Sequence, residues 1–280
     1  MQPPKRVLCI MDMAGAGRSS LAVVLPVLAA CGVQGCPLPT ALFSTHTGGF
    51  GTVEVQDTTE YAEKALAHYQ QQQIHFDAIY TGYLQSDAQF ALAQHAQKQY
   101  PGALLVADPA MGDHGKRYSK ITPEMVGSMQ KLCQTANLIT PNYTETALLL
   151  NLEPDNTPPA PEEIQRRLGL LSAPGCAVVA TSVPLVGGGL AVAGCGPNGS
   201  GQYTLPVQLV PQNYPGTGDL FTAALVGLTL QGVPTPQAAA AAGEFAEAAA
   251  QATYVAGGET RHGVWFEAQL YRLTSYVNNL

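Results

Sequence analysis

The chain has 280 residues, 46% of them hydrophobic and 12% charged, which is enough for one large α/β domain with a core that needs no cross-links. A net charge of −7 without a basic cluster argues against a nucleic-acid partner, because phosphate backbones are bound chiefly through Lys and Arg. Membrane insertion and secretion are disfavoured too: the longest apolar run, Leu21 to Val33, contains Pro26 and is too short to span a bilayer, and Met1-Gln-Pro-Pro-Lys-Arg6 lacks the apolar core of a signal peptide. Six cysteines (Cys9, Cys31, Cys36, Cys133, Cys176, Cys195) form no Cys-x-x-Cys pair and read as buried thiols of a reducing compartment, so the expected location is cytoplasmic.

Along the chain, apolar runs of strand length alternate with segments of helical period. Strands are expected at Lys5–Asp12, Cys36–Ser44, Asp77–Gly82, Ala103–Asp108, Leu138–Pro141 and Cys176–Ser182. The helices between them are expected at Ser20–Cys31, Thr59–Gln72, Ser86–Gln99, Thr122–Cys133, Tyr143–Leu150 and Pro161–Leu171. This alternation implies a mostly parallel sheet with helices on both faces, and ligands in such sheets lie beyond the carboxyl ends of the strands. After Ser182 the Gly- and Pro-rich segments Gly187–Gly196 and Gly201–Val210 read as antiparallel edge strands. A helix opening at Gly-Thr-Gly-Asp, a second over Thr235–Val255 with small residues at Ala238–Ala242, and a last over Gly263–Tyr276 complete the chain. No linker divides it, so a single domain over 1–280 is expected.

The segment Tyr214-Pro-Gly-Thr-Gly-Asp219 places an acid at the mouth of a helix whose buried face continues through Phe221, Ala224, Leu225 and Leu228. Gly216 and Gly218 allow a tight turn, Thr217 adds a hydroxyl, and the free first-turn amides with the helix dipole suit an anion such as a transferred phosphoryl group. Asp219 can orient a hydroxyl and accept its proton. Asp108-Pro-Ala-Met-Gly-Asp113 leaves an apolar strand, and Asp108 and Asp113 read either as turn formers or as carboxylates organising Mg²⁺ around nucleotide phosphates. In Thr140-Pro-Asn-Tyr-Thr-Glu145, Asn142 and Glu145 have the spacing of a capping box. Asp12, Ser44–Gly48 and Thr81-Gly-Tyr83 leave the first three strands, and His46 reads as a structural hydrogen-bonding residue.

Together with Phe43-Ser-Thr-His-Thr-Gly48, these motifs in this order resemble the ribokinase-like superfamily, and within it the pyridoxal (vitamin B6) kinase family, over Val7 to about Gly258. The resemblance implies a three-layer α/β/α sandwich and ATP-dependent phosphorylation of the 5′-hydroxymethyl group of pyridoxal, pyridoxamine or pyridoxine. It carries over Asp219 as base, Gly216, Thr217 and Gly218 as the anion hole, and Asp108, Asp113, Thr140, Asn142, Glu145, Thr181 and Ser182 as the nucleotide side. Asp108 and Glu145 would face the metal; Asp12, Thr47 and Tyr83 would contact the vitamer. The implied cofactors are ATP and Mg²⁺, with K⁺ as an optional third, and the implied assembly is a homodimer.

Asp12 departs from the family, in which many members have Ser at this strand end. A carboxylate there would favour a pyridinium or the amine of pyridoxamine. The following Gly-Ala-Gly reads either as a flap or as a strand-to-helix turn capped by Ser19 or Ser20. The nearest rival is a hydroxymethylpyrimidine kinase, whose members typically carry Cys where this chain has Asp219. A vitamer-binding protein without turnover is a rival of another class, against which Asp108, Glu145 and Asp219 argue.

Overall fold

A computed structural model describes residues 3–172 and 175–280; Met1 and Gln2, part of the N-terminal run read above, lie outside them. The elements in chain order are β1 (Arg6–Ala16), α1 (Leu21–Ala30), β2 (Gln34–Thr45), β3 (Val55–Asp57), α2 (Thr59–Gln71), β4 (Ala78–Thr81), α3 (Asp87–Gln99) and β5 (Leu104–Ala107). There follow β6 (Gly112–Asp113), β7 (Lys116–Arg117), α4 (Pro123–Cys133), β8 (Leu138–Ile139), α5 (Tyr143–Leu149), α6 (Pro161–Leu171), β9 (Ala177–Pro184), β10 (Leu190–Cys195), β11 (Tyr203–Val207), α7 (Thr217–Leu230), α8 (Thr235–Val255) and α9 (Leu270–Asn278). The fold is the expected one, a mostly parallel sheet with antiparallel strands at its edges and helices on both sides. Packing of the chain divides it into two compact units, Met1–Ile79 with Gln99–Ala103 and Val210–Leu280, and Tyr80–Lys98 with Leu104–Leu209.

In the first unit β1 buries every residue from Val7 to Met11, the unbroken apolar run of a strand covered on both faces. It pairs in parallel with β2, and the register shifts from Met11 opposite Pro39 to Met13 opposite Leu42, so β2 carries one extra residue across from Asp12. Pro37 and Pro39 are tolerated because β3, on the other side of β2, pairs only with Ala41–Phe43. Leu21, Val23, Val24, Val27 and Leu28 of α1 are buried, and α7 packs against α1 and α8. A side chain at Gly227 would put its Cβ 2.6 Å from the Cys31 Cβ, so the glycine lets α7 approach the end of α1. In the run Ala238–Ala242, Ala238, Ala239 and Ala242 are buried and Ala240 and Ala241 half-buried, and Phe245, Ala246 and Ala249 are buried further along α8.

In the second unit β5, β8 and β9 run parallel, while β10 and β11 continue antiparallel from β9. The Gly-rich stretch after Asp108 folds into a hairpin of β6 and β7, with Gly112 opposite Arg117 and Asp113 opposite Lys116. The Asn142 side chain accepts from the Glu145 amide and the Glu145 side chain from the Asn142 amide, which is the capping box that the spacing predicted.

Four expectations change. Strand β1 does not stop at Asp12 but runs to Ala16, so the Gly-Ala-Gly segment is no free flap: Gly15 and Ala16 lie in the strand and the His46 ring fills the place of a Gly17 side chain. Ser20 stands before α1, yet its hydroxyl makes no capping bond and turns back to Asp12 instead. The last helix begins at Leu270 rather than Gly263, after two 3₁₀ turns at Thr260–His262 and Glu267–Gln269. Strands β3, β6 and β7, of three or two residues, are too short to leave a period in the sequence. Replacing Gly227 with Val should lower stability by about 1–3 kcal/mol through overpacking, read as a fall in the denaturant midpoint; an unchanged midpoint would show that α1 and α7 can separate freely.

Candidate active site

Helix α7 in the first unit begins at Gly216, whose φ of +84° is left-handed and whose missing side chain leaves room for the Arg18 carbonyl oxygen. The first intrahelical bond runs from the Leu220 amide to the Gly216 carbonyl at 3.0 Å, and the amides before it have no partner within the helix. The Thr217 hydroxyl donates to the Tyr214 carbonyl at 2.8 Å, so Thr217 offers its amide rather than its hydroxyl to an anion.

Asp219, half-buried in that first turn, accepts the Ser20 amide on Oδ2 at 2.8 Å. Among the described residues its Oδ1 accepts no hydrogen bond. Burial pushes its carboxyl up to about 6, and the bond from the Ser20 amide pulls it back down. The Ser20 hydroxyl donates to Asp12 Oδ1 at 2.7 Å. Asp12 is 4% exposed; burial raises its carboxyl to about 7, the Ser20 hydroxyl opposes that, and the charge of Asp219 adds to it. The two acids expected on the base and vitamer sides are therefore joined through one serine. The chain motifs singled out Asp12 and Asp219 and left Ser20 as a helix cap, since a Ser-Ser before an apolar helix is the usual capping signal.

Thr47 is exposed and His46 is buried. The His46 Nδ1 accepts from the Gly48 amide at 3.0 Å, which leaves Nε2 to donate to the Arg261 carbonyl at 2.6 Å: a neutral, structural histidine, as the sequence suggested. Burial depresses its pKa. Arg18 donates to Glu267 at 2.7 Å and to the His262 carbonyl at 3.2 Å. These bonds tie both the β1–α1 turn and the loop after β2 to residues 261–267. Pairings more than two hundred residues apart leave no local trace in a sequence.

The second unit gathers the acids of the other motifs. Glu145 is 3% exposed; its Oε2 accepts the Asn142 amide at 2.8 Å and its Oε1 the Met111 amide at 3.0 Å, while the Asn142 side chain donates to the Gly112 carbonyl at 2.7 Å. Burial, then the nearby charge of Asp108, raises the Glu145 carboxyl well above its ordinary range against the pull of three backbone amides. Thr181 donates its amide to the Pro141 carbonyl at 3.0 Å and bridges Asn142, so these two expected residues are neighbours. Thr140 is buried at the same strand ends, and Ser182 is exposed with a left-handed φ of 55°. Asp113 belongs to β6 and accepts the His114 amide at 2.8 Å, a turn-forming role. Tyr83 is half-buried just beyond β4. Among the described residues no group of three His, Cys, Asp or Glu side chains could hold a metal.

Two predictions follow from these acids. Asp12 and Asp219 have folded-state pKa values raised above the ordinary 3.8, so the folded protein holds their protons more tightly than the unfolded chain does. Their contribution to stability is complete below about pH 4 and is lost as pH rises through about 6 and 7. Melting temperature should fall over that window, and Asp12→Asn should remove the upper part of the fall; identical profiles would sink the assignment. Glu145→Gln puts an NH₂ donor against backbone amides and should cost about 1–3 kcal/mol of stability, read as a fall in the denaturant midpoint; an unchanged midpoint would show that the capping box and the Met111 loop do not depend on the carboxyl group.

Residues 15–264 match the sequence profile of the phosphomethylpyrimidine kinase family. A Bacteroides thetaiotaomicron protein assigned to the phosphomethylpyrimidine kinases superposes with a TM-score of 0.90 at 37% identity over 96% of each chain, in a crystal form with pyridoxal. The pyridoxal kinase of Lactobacillus plantarum superposes with a TM-score of 0.90 at 31% identity over 98% of each chain. The pyridoxal kinase of Arabidopsis thaliana is 27% identical over 202 residues, 68% of this chain and 63% of that protein, and the chain spans less than two thirds of the curated relatives it matches. On a match across most of its length, the chain belongs to the phosphomethylpyrimidine kinase family, within the ribokinase-like superfamily.

Proposed function

We propose that the chain is an ATP-dependent kinase of the 5′-hydroxymethyl group of a B6 vitamer, working as one kinase domain over 1–280 in the cytoplasm and as a homodimer. The observation that carries this reading is Asp219: a half-buried acid in the first turn of α7, held on one oxygen by the Ser20 amide with the other oxygen free, beside amides that have no helical partner. A carboxylate so placed can accept the proton of an acceptor hydroxyl while the amides of Gly216, Thr217 and Gly218 hold the transferred phosphoryl oxygens. Phosphoryl transfer passes through a loose transition state, so alignment and charge matter more than base strength. An acid raised only to about 6 is ionised at neutral pH and suffices.

On the acceptor side the reading assigns Thr47, Tyr83 and the second oxygen of Asp12. On the nucleotide side it assigns Asp108, Thr140, Asn142, Thr181 and Ser182, with Asp113 shaping the hairpin. Glu145 commits both oxygens to backbone amides, and among the described residues no cage of three acids stands near it. Such a donor set fits Mg²⁺, which keeps most of its waters and is bound by one or two carboxylates plus phosphate oxygens. Asp108 would hold it, Glu145 would fix the loop and supply charge, and the ion would neutralise the donor phosphates; K⁺ would be an accessory at most.

The second reading, a hydroxymethylpyrimidine kinase, is favoured by the family match itself. Against it stand the acid at 219 and the crystal form of the Bacteroides relative with pyridoxal. ADP release measured with pyridoxal, pyridoxamine, pyridoxine and hydroxymethylpyrimidine separates the two, and turnover on the pyrimidine alone would overturn the vitamer reading. Asp219→Asn should lower kcat by about 10²–10⁴-fold, as loss of a general base does, with nucleotide binding kept; near-normal turnover would remove Asp219 from the base role.

A further inference from the structure

Ser20 touches both Asp12 and Asp219 with different atoms. Its amide donates to Asp219 Oδ2 at 2.8 Å and its hydroxyl to Asp12 Oδ1 at 2.7 Å. The serine is 7% exposed and Asp12 4%, so water competes poorly for the bond between them, while the bond to Asp219 is part-buried. Ser20 also has φ 50° and ψ −135°, a backbone conformation that residues with a side chain seldom adopt and that persists where the surroundings enforce it. Its hydroxyl does not cap α1, so the bond to Asp12 is what the side chain contributes. Asp12 lies on β1, whose preceding residues Val7 to Met11 are fully buried, and is therefore a fixed point.

We propose that Ser20 is a positioning residue for phosphoryl transfer: it carries the rigidity of β1 from Asp12 to Asp219, holding Oδ2 so that the free Oδ1 meets the acceptor hydroxyl. Asp12 thereby acts on the base through Ser20, in addition to any contact its second oxygen makes with the acceptor. The inference rests on the reading of Asp219 as the base and extends it to the group that aims it.

The test is steady-state kinetics on the full chain with each vitamer and with hydroxymethylpyrimidine. Ser20→Ala should lower kcat about ten- to a hundredfold, the scale of a misaligned catalytic group, with the acceptor KM within about threefold, because Ser20 does not touch the acceptor. Ser20→Gly keeps the amide and accepts the backbone conformation, so it remains informative if the alanine variant folds poorly, and it should show the same loss. In Ser20→Ala with Asp12→Ala, kcat should be no lower than in the worse single variant, since both cut one chain of bonds. Asp12→Asn, which retains an acceptor oxygen for the Ser20 hydroxyl, should recover most of the kcat lost in Asp12→Ala. Wild-type kcat in both Ser20 variants, effects confined to KM, or losses that multiply in the double variant would overturn the proposal. Turnover of the wild type on the pyrimidine alone defeats the vitamer reading and leaves the Ser20 comparison to be made on that acceptor; no turnover on any acceptor overturns both.

Discussion

The left-handed turn at Gly216 is the constraint on which the arrangement of the first unit depends. Any Cβ there would collide with the Arg18 carbonyl, so the start of α7 and the β1–α1 turn can meet only because residue 216 has no side chain. That approach lets the Ser20 amide reach Asp219 and keeps the acid in the first helical turn, where the helix dipole and free amides favour negative charge. A larger residue would separate the turn from the helix, and the acid would lose its donor along with its orientation.

Around this contact the molecule uses long-range ties rather than a dense set of ion pairs. The Arg18 guanidinium binds Glu267 and the His262 carbonyl, and His46 binds the Arg261 carbonyl while accepting from Gly48. The exposed partners Lys64 and Glu60, or Arg166 and Glu163, contribute little by comparison, because solvent screens surface pairs. The second unit shows the same economy: one side chain, Glu145, closes the capping box of α5 and holds the Met111 amide, so a single buried carboxyl group shapes both a helix end and a loop.

Burial is also what tunes the acids. Asp12, Asp219 and Glu145 are all raised, each chiefly by loss of solvent; a neighbouring acid adds to the rise in Asp12 and Glu145, and hydrogen bonds oppose it in all three. In Asp12 and Asp219 the shifts stop near neutrality because Ser20 donates to both. Limited solvent thus favours the protonated form of each acid, and the shared donor Ser20 favours the ionised form of both.

The alternation of apolar runs and helical periods was enough to place nearly every long element, because period and burial in a parallel sheet are local properties of the chain. The capping box of Asn142 and Glu145 was legible for the same reason: its two bonds span three residues. Gly-Thr-Gly-Asp likewise announced a helix with an acid at its mouth. What the tertiary structure alone decided is where the side chains at those places turn. Ser20 reads locally as a cap, yet the bulge opposite Asp12 and the extension of β1 to Ala16 bring it back to that acid, and the absent side chain of Gly216 brings it to Asp219. These contacts join positions 8 and 199 residues apart; the two-hundred-residue separation has no periodicity to betray it, so only the folded chain could show that one serine serves both acids.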